Sequence, residues 1–378
     1  MKKTLLAAAL LAGFAGFASA AQAETSVTLY GILDAGISYQ QVKGTVGGVD
    51  YKGTRTGMLS GGESPSRWGL RGTEDLSDDL KAVFVLESGF DIGTGQSLQN
   101  NRLFGRQATV GLDSSTWGRL DFGRQTNIAT KYFAGVASPF GTDWSQARAG
   151  ATFGAADSVR YDNMIMYQTP DFAGFQFGVG YSFNNNGSQQ FKVSGDSEPN
   201  SRVWTTGLRY ANGPIAAALT YDQLKTAETF VDPNDNGVSI KSWNLGASYD
   251  FNVVKLHLGF GQSRNGWLTP IQYADLGVQT GNTGYYADDG LKVNSYTVGL
   301  SAPVGANSSV MASWGMADPR STGVHDGDLR RQHIYSLGYS YALSKRTNLY
   351  AVGSYADHAL MQDDLKSTFV GAGIRHQF

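Results

Sequence analysis

The chain has 378 residues, and its 30 basic and 32 acidic side chains give a formal net charge of −2. Because nucleic-acid-binding proteins present a basic face, this weakly acidic balance predicts no nucleic-acid partner. The absence of cysteine excludes disulfide bonds as a source of stability. The length is compatible with two ordinary domains or with one large barrel.

The first 23 residues predict a signal peptide. Lys2 and Lys3 form a charged start, an apolar run follows at residues 5–17, and residues 21–23 (AQA) form a small-residue cleavage site. The apolar run is too short for a permanent membrane helix. We therefore expect an exported protein whose mature chain, residues 24–378, is a single domain.

Most of the mature chain alternates apolar and polar residues with a period of two. In one stretch the apolar positions are Trp243, Leu245, Ala247, Tyr249 and Phe251, with polar or small residues between them. Such alternation predicts strands that separate two media. A soluble sandwich would give the same pattern. Long strands with aromatic residues at their ends, and a polar face rich in Gly, Ser and Asn, favour a membrane barrel.

Short and long connections alternate along the chain. Short turns are predicted at residues 75–79, 113–117, 170–173, 211–214, 252–253, 305–307 and 344–346. Long polar loops are predicted near residues 41–65, 92–102, 127–157, 184–200, 225–239, 264–292, 318–331 and 358–367. This is the topology of an outer-membrane barrel with short periplasmic turns and long extracellular loops. We predict an all-β fold, a 16-stranded antiparallel transmembrane β-barrel around a water-filled channel. Between residues 102 and 125, alternation does not decide which face is wet.

Residues 127–157, called the long segment below, show neither the strand nor the helix period. A structureless loop of this length is unusual in a compact domain. It is acceptable if it packs into the lumen, where wall groups or water satisfy its backbone. We therefore predict that the long segment folds inward and narrows the pore. The alternative is a surface or disordered loop.

The last strand, residues 367–378, places Val370, Ala372, Ile374 and Phe378 on one face and ends on an aromatic residue. We expect it to pair with residues 25–40, because closing the barrel removes both free edges.

Four stretches resemble those of the Gram-negative general porins, and most closely the beta-proteobacterial branch. They are residues 26–31 (SVTLYG), 66–76 (SRWGLRGTEDL), 118–125 (GRLDFGRQ) and 375–378 (RHQF). The resemblance covers the mature chain and implies a 16-stranded barrel, a homotrimer in the bacterial outer membrane, and a third extracellular loop folded into the lumen. Loops of this family often carry Pro-Glu-(Phe/Tyr)-Gly-Gly at the tip. Residues 138–143 read SPFGTD, without the glutamate.

We predict that the pore is narrowest where the long segment faces a wall of arginines. Arg67 and Arg71 share one face of a strand around Gly69, and the resemblance places Arg106 and Arg160 in the same basic cluster. Permanently charged arginines facing carboxylates across a narrow aqueous gap create a transverse field that filters ions. Alternatively, these arginines only satisfy buried loop carbonyls. The predicted constriction residues are Arg67, Arg71, Arg106, Arg148, Arg160, Asp143 and Lys131, with Asp157 as a second carboxylate.

Catalytic chemistry is not indicated. The five histidines are scattered, and the sequence has no HExxH and no GxSxG after a strand. We predict no catalytic residue, cofactor or protein-held metal site, and we interpret His257 as pore-lining. Acidic residues of the predicted loops are either solvated or bridged by divalent cations to lipopolysaccharide. They are Asp288, Asp289, Asp326, Asp328, Asp363 and Asp364.

The predicted function is diffusion of ions and small hydrophilic solutes across the outer membrane, with a weak preference for anions. A Debye length of about 8 Å screens distant loop carboxylates from a permeating ion, and the loop tip lacks its glutamate. Two alternatives stay open: a substrate-specific channel, which would need stacking aromatics or a basic ladder along the lumen, and a surface adhesin or structural barrel.

Overall fold

The computed structural model describes residues 26–46, 49–228, 236–268, 286–323 and 329–378. The predicted signal peptide and Asp326 and Asp328 lie outside the described residues. The strands are β1 (Ser26–Val46), β2 (Val49–Ser60), β3 (Arg67–Asp75), β4 (Leu80–Gly89), β5 (Gln107–Ser114), β6 (Gly118–Thr126), β7 (Arg160–Tyr161), β8 (Met164–Gln168), β9 (Phe175–Ser182), β10 (Arg202–Asn212), β11 (Ile215–Lys225), β12 (Ser239–Asp250), β13 (Lys255–Trp267), β14 (Tyr286–Val304), β15 (Ser308–Thr322), β16 (Gln332–Ala342), β17 (Thr347–Asp357) and β18 (Lys366–Gln377).

These strands form one closed antiparallel sheet. β2 and β3 both pair with β1, and β7 and β8 both pair with β6, so each pair is one interrupted strand of the wall. The wall therefore has 16 strands, as predicted. β18 closes it against β1, with Ile32 opposite Gln377 and Lys43 opposite Lys366. Closure by the last strand is confirmed, although the paired part of β1 is residues 32–43 and not 25–40.

Each strand has an apolar face and a polar face, as the alternation predicts. On β14, for example, Val298 and Leu300 are exposed, whereas Thr297 on the opposite face is buried. The structure also decides the ambiguous region, because Val110 on β5 and Phe122 on β6 lie on the exposed apolar face. We call the face that carries the exposed apolar side chains the apolar face, and the opposite one the polar face.

The predicted short turns fall between strands within one or two residues of the expected positions. The predicted loop at 41–65 is wrong in extent. β1 runs to Val46 and β2 starts at Val49, so most of this stretch is a long hairpin. Residues 61–66 interrupt the strand between β2 and β3.

The long segment contains short helical turns that the period analysis did not predict. A π-helical turn (Ala129–Phe133) continues into α2 (Ala134–Ala137), and single 3₁₀ turns follow at Ser145–Ala147, Ala149–Ala151 and Gly154–Ala156. Elsewhere, α1 (Leu98–Asn101) and a 3₁₀ turn (Ala359–Met361) lie in two other connections.

The largest apolar core lies between the long segment and the polar face of the wall. Ile128, Phe133 and Phe153 are fully buried and pack with wall residues such as Val203 and Ile240. Glycines make room for this contact, because a Cβ atom at any of them would lie 3.2 Å or less from a side chain of the long segment. They are Gly178, Gly207, Gly246, Gly259, Gly261, Gly299, Gly315 and Gly338.

We expect Gly299→Val to destabilise the barrel, because its side chain would overlap the rigid ring of Pro139. Overpacking of this kind costs about 1–3 kcal/mol. The measurement is heat-induced unfolding in detergent, followed by circular dichroism. Gly353→Val is the control, since no heavy atom lies within 4 Å of a Cβ there. Equal unfolding temperatures for the two variants would contradict the close packing of the segment.

Candidate functional site

A cavity of about 630 Å³ lies between the long segment and the polar face. The segment lines it with residues between Thr130 and Trp144, and the wall contributes Ser301 and Ser309. Two predicted site residues therefore border the same space. The charged lining residues are Lys131, Asp143, Glu63 and Lys255.

Arg67, the first residue of β3, lies next to Asp143, which lines this cavity. Its Nη2 lies 3.9 Å from Oδ2 of Asp143, and its Nε donates to the carbonyl of Pro65 at 3.1 Å. The structure thus brings a predicted wall arginine opposite the predicted carboxylate of the segment.

Arg106 is buried and paired with Glu87, with 2.6 Å between Nε and Oε1. Strand parity would have placed Arg106 on the same face as Val110. However, Arg106 precedes β5, so the parity of that strand does not extend to it. Glu87 is a site residue that sequence reasoning missed. It lies on the polar face of β4, next to the outward Leu86, and this position could have been identified from the alternation.

Arg160 completes the cluster on the wall. Its charge lies within electrostatic range of Arg67, Arg106 and Glu87, and its Nη1 donates to the carbonyl of Ser158 at 3.0 Å. Three of the four wall arginines predicted to gather, Arg67, Arg106 and Arg160, are therefore close together. Arg67 and Arg160 each also donate to a nearby carbonyl, as the alternative interpretation of these arginines expects.

Two predicted residues do not join the cluster. Arg71 is exposed, and its guanidinium lies 5.4 Å from the centre of the Tyr30 ring. Arg148 donates to the carboxylate of Asp157 and, at 2.9 Å, to the carbonyl of Ser145. Arg148 was expected to add to the wall cluster and Asp157 to stand opposite it as a second carboxylate. Instead, the two side chains pair with each other within the long segment.

Buried polar contacts hold the start of the long segment. Asn127 Nδ2 donates to Asp222 Oδ1 on β11 and to the carbonyl of Ala155, both at 2.8 Å. The next amide, of Ile128, donates to Oγ1 of Thr205 at 2.8 Å. Because all these groups are shielded from water, losing one partner would leave the other unsatisfied.

A second anchor holds the middle of the segment. Gln146 accepts from Ser367 Oγ at 2.7 Å and donates to Ser354 Oγ at 3.2 Å. Gln332 on β16 donates to the carbonyl of Ala151 at 2.9 Å. These contacts attach the segment to β16, β17 and β18, in addition to β10 and β11.

His257 is a third anchor. Only 4% of it is exposed, and its ring nitrogens lie 3.0 Å from the carbonyl of Val136 and 3.3 Å from Ser301 Oγ. His257 is among the residues that line the cavity, as the sequence suggested, although the helical part of the segment covers most of its side chain.

The break between β2 and β3 is organised by Asp34, which is fully buried. Its carboxylate accepts hydrogen bonds from the backbone amides of Gly62, Glu63 and Ser64 at 3.1, 3.0 and 2.7 Å. The Tyr350 hydroxyl adds a further one at 2.5 Å. The bend held in this way presents the Glu63 carbonyl, which accepts from the amide of Trp144 at 3.1 Å.

Lys131 is the charged group of the cavity that is most affected by its surroundings. Its ammonium donates to Gln125 Oε1 at 3.1 Å. Desolvation by the surrounding protein lowers its pKa to about 8, and the charge of Asp121 offsets this only in part. Among the described residues, no carboxylate lies within ion-pair distance of it.

Further charged residues were not predicted. Arg375 on β18 donates to Ser64 Oγ at 3.0 Å and lies within electrostatic range of Arg67 and Glu63. Its place opposite the apolar residues of the last strand follows from the alternation. In contrast, no local sequence pattern indicates the contacts of Asp162. Its carboxylate lies 2.7 Å from the guanidinium of Arg102 and 2.7 Å from that of Arg124.

Within the described ranges, no three His, Cys, Asp or Glu side chains are grouped so that they could hold a metal ion. None of the helical segments in the described part of the chain is long and apolar enough to span a bilayer.

Comparisons with known proteins agree over the length of the chain. A family model described as Gram-negative porin matches residues 7–358. The chain is 53% identical to an outer membrane porin protein of Bordetella pertussis and 33% identical to outer membrane porin protein 32 of Delftia acidovorans, each over 100% of both chains. Among solved structures, an anion-selective porin from Comamonas acidovorans is 29% identical, with a TM-score of 0.69 over 94% of this chain and 100% of that one. The trimer form of OmpT, an outer membrane protein of Vibrio cholerae, is 12% identical and shares the fold, with a TM-score of 0.59 over 94% and 99%.

We expect Asn127→Ala to loosen the start of the long segment, because Asp222 loses a buried donor. Such a loss costs about 1–3 kcal/mol. Hydrogen exchange of the amides of residues 128–137 should become faster. The matched comparison introduces Asn127→Ala into an Asp222→Ala background, where the further effect should be small. Unchanged exchange in the single variant would show that this contact does not hold the segment.

Proposed function

Because the chain belongs to the Gram-negative porin family, and is therefore an outer-membrane channel protein and not an enzyme, we propose that the long segment narrows its pore and that the constriction weakly prefers anions. Ions and small hydrophilic solutes would cross through the remaining opening. The observation that carries this proposal is the position of the wall residue Arg67 next to Asp143 of the long segment, at the edge of the cavity.

The contacts of the long segment support its position in the lumen. It meets the polar face of strands from β10 to β18 and also the bend at residues 61–66. In a closed wall, a single segment can reach so many strands on one face only from the inside. Much of the lumen at this level is therefore filled by the segment, and the cavity beside it is the remaining path.

The charges support a preference for anions. Six cations gather at or near the cavity against five carboxylates, and the segment tip has no glutamate. At physiological salt, charges beyond about 8 Å are largely screened, so this local set matters more than the net charge of the chain. The cations are Arg67, Arg106, Arg160, Arg375, Lys131 and Lys255, and the carboxylates are Glu63, Glu87, Asp143, Asp34 and Asp121.

The aromatic side chains disfavour a substrate-specific channel. Phe133, Phe140, Trp144 and Phe153 of the long segment are buried against the wall. They therefore provide no exposed stacking ladder for a solute. In planar bilayers a general pore gives ohmic steps, a specific channel gives saturable block by one solute, and an adhesin or structural barrel is silent.

We also propose that the protein is a homotrimer in contact with outer-membrane lipid. The support is limited to the trimer form of the related fold and to the exposed apolar face, which needs lipid or a second barrel against it. Sedimentation in a lipid-like detergent would distinguish a trimer from a monomer.

We expect Arg67→Glu to reduce or reverse the anion preference, because it changes the charge at the constriction by two units. The measurement is the reversal potential in a potassium chloride gradient. The effect should be largest in dilute salt, since the Debye length falls from about 30 Å at 0.01 M to about 3 Å at 1 M. Lys345→Glu, in the exposed β16–β17 turn, is the control with the same charge change. Wild-type cation preference, or equal shifts in both variants, would contradict the proposal.

We expect the anion preference to fall between pH 7 and pH 9. The depressed pKa of Lys131, about 8, means that its positive charge is mostly present at pH 7 and mostly lost at pH 9. Lys131→Arg should remove the pH dependence, since a guanidinium stays charged throughout. Lys131→Gln should give a lower preference at both values. A pH dependence that persists in both variants would have to come from another group.

A further inference from the structure

A lysine and a glutamine at the edge of the cavity leave one hydrogen-bond donor unused. Lys131 lies in the π-helical turn at the start of the long segment, and Gln125 lies near the end of β6. The ammonium of Lys131 donates to Gln125 Oε1 at 3.1 Å. Gln125 is fully buried, and within the described residues no atom accepts a hydrogen bond from its Nε2. We call these two residues the lysine–amide pair.

The unused donor is a property of the lysine–amide pair and not of the amide orientation. Reversing the Gln125 amide would place its NH₂ group against the Lys131 ammonium, donor against donor. Buried polar groups are normally hydrogen-bonded, and an unsatisfied donor is costly. The arrangement therefore suits a form of Lys131 that both donates and accepts, which an ammonium cannot do.

Lys131 is accessible to small solutes because it lines the cavity of about 630 Å³. Desolvation lowers its pKa to about 8, so at pH 8 about half of the molecules carry a neutral amine, compared with less than about 1% for a lysine whose pKa is the ordinary value of about 10.4. A neutral lysine amine in a desolvated site is a nucleophile. Two charged residues on β6 act on it in opposite directions, because Asp121 raises its pKa and Arg119 lowers it. The other titratable groups that border the cavity are Glu63, Asp143, Lys255 and His257.

We propose that Lys131 reacts with carbon dioxide and forms a carbamate that the Gln125 amide holds in place. The ammonium first loses a proton to water. The lone pair of Nζ then forms a bond to the carbon of carbon dioxide, and one C=O electron pair moves onto oxygen. A second proton leaves Nζ for water. The side chain changes from one positive to one negative charge, and the reaction needs no oxidant or reductant.

The carbamate has the hydrogen-bonding edge that the ammonium lacks. Its nitrogen keeps one hydrogen, which donates to Gln125 Oε1 as before. One carboxylate oxygen lies on the same side of the N–C bond as this hydrogen, and it accepts from Gln125 Nε2. Two parallel hydrogen bonds then replace one, and the buried donor is satisfied. An imine formed with an aldehyde would offer a nitrogen alone and could not satisfy both ends of the amide.

The test uses the full mature protein in detergent at pH 8, under a constant pressure of carbon dioxide. Ethylation with a trialkyloxonium reagent converts a carbamate into a stable ester, which peptide mass spectrometry assigns to a residue. Lys131→Arg keeps a cation but has no nucleophilic amine, and Gln125→Glu replaces the unused donor with a carboxylate oxygen. Lys255→Arg is the matched control, because Lys255 lines the same cavity. Single-channel recordings without carbon dioxide show that each variant is folded.

We expect the ester at Lys131 in the wild type and in Lys255→Arg, at a level at least tenfold above that at Lys255 in the wild type. Gln125→Glu should reduce the ester at Lys131 roughly tenfold or more, because the carbamate loses a donor and faces a second negative charge. Lys131→Arg should give no ester at this position. At constant pH, carbon dioxide should also lower the anion preference of the wild type and leave that of Lys131→Arg unchanged.

The absence of an ester at Lys131 in the wild type would overturn the proposal. Equal amounts at Lys131 and Lys255 would show general amine reactivity instead of a built site. An unchanged amount in Gln125→Glu would show that the lysine–amide pair does not hold the carbamate. If Gln125→Glu forms no channels, Gln125→Leu takes its place, with the same reduction expected. The ester is detected without reference to ion flow, so an ester at Lys131 with an unchanged reversal potential would support the carbamate and contradict only the proposed constriction.

Discussion

The structure depends on closure of the sheet. No backbone group facing hydrocarbon can find a water partner, so every strand edge in the membrane must be paired. The pairing of β18 with β1 meets this requirement and turns a two-faced sheet into a wall with one side for lipid and one for water. The period-two alternation of the sequence is a consequence, since each strand separates the same two media.

Closure also encloses a lumen, and the width of that lumen depends on what packs inside the wall. A wall of 16 strands is too wide to be filled by its own side chains, and in the proposed function the long segment supplies the constriction. Ordering more than 30 residues costs about 1–2 kcal/mol each in backbone entropy. The fully buried Ile128, Phe133 and Phe153, together with the polar anchors at Asn127 and Gln146, offset this cost. The glycines on the polar face allow this packing, because larger side chains there would keep the segment away from the wall.

The sequence was sufficient for features that repeat and insufficient for features that occur once. Strand number, turn positions and wall closure follow from the period-two alternation, which many residues of every strand share. The wall cluster of Arg67, Arg106 and Arg160 could be predicted only from the family resemblance. Arg106 lies just before β5, so the alternation of that strand does not indicate which way its side chain points. The pairing of Arg148 with Asp157 inside the segment and the anchoring contacts of His257 were not predicted. Both depend on how a non-periodic segment folds back on itself and on the wall, and single-residue contacts of that kind leave no pattern in a chain.

The distance to the nearest carboxylate distinguishes arginines that stabilise the fold from the arginine of the proposed constriction. Arg148 pairs with Asp157, and Arg124 pairs with Asp162, so both positive charges are largely neutralised within the fold. Beside the cavity, Arg67 is 3.9 Å from Asp143, a longer contact than these pairs, and the proposed anion preference rests on the charge that it leaves uncompensated. A near-neutral composition therefore does not show where positive charge is balanced within the fold and where it is not, and only the contacts of individual side chains reveal this.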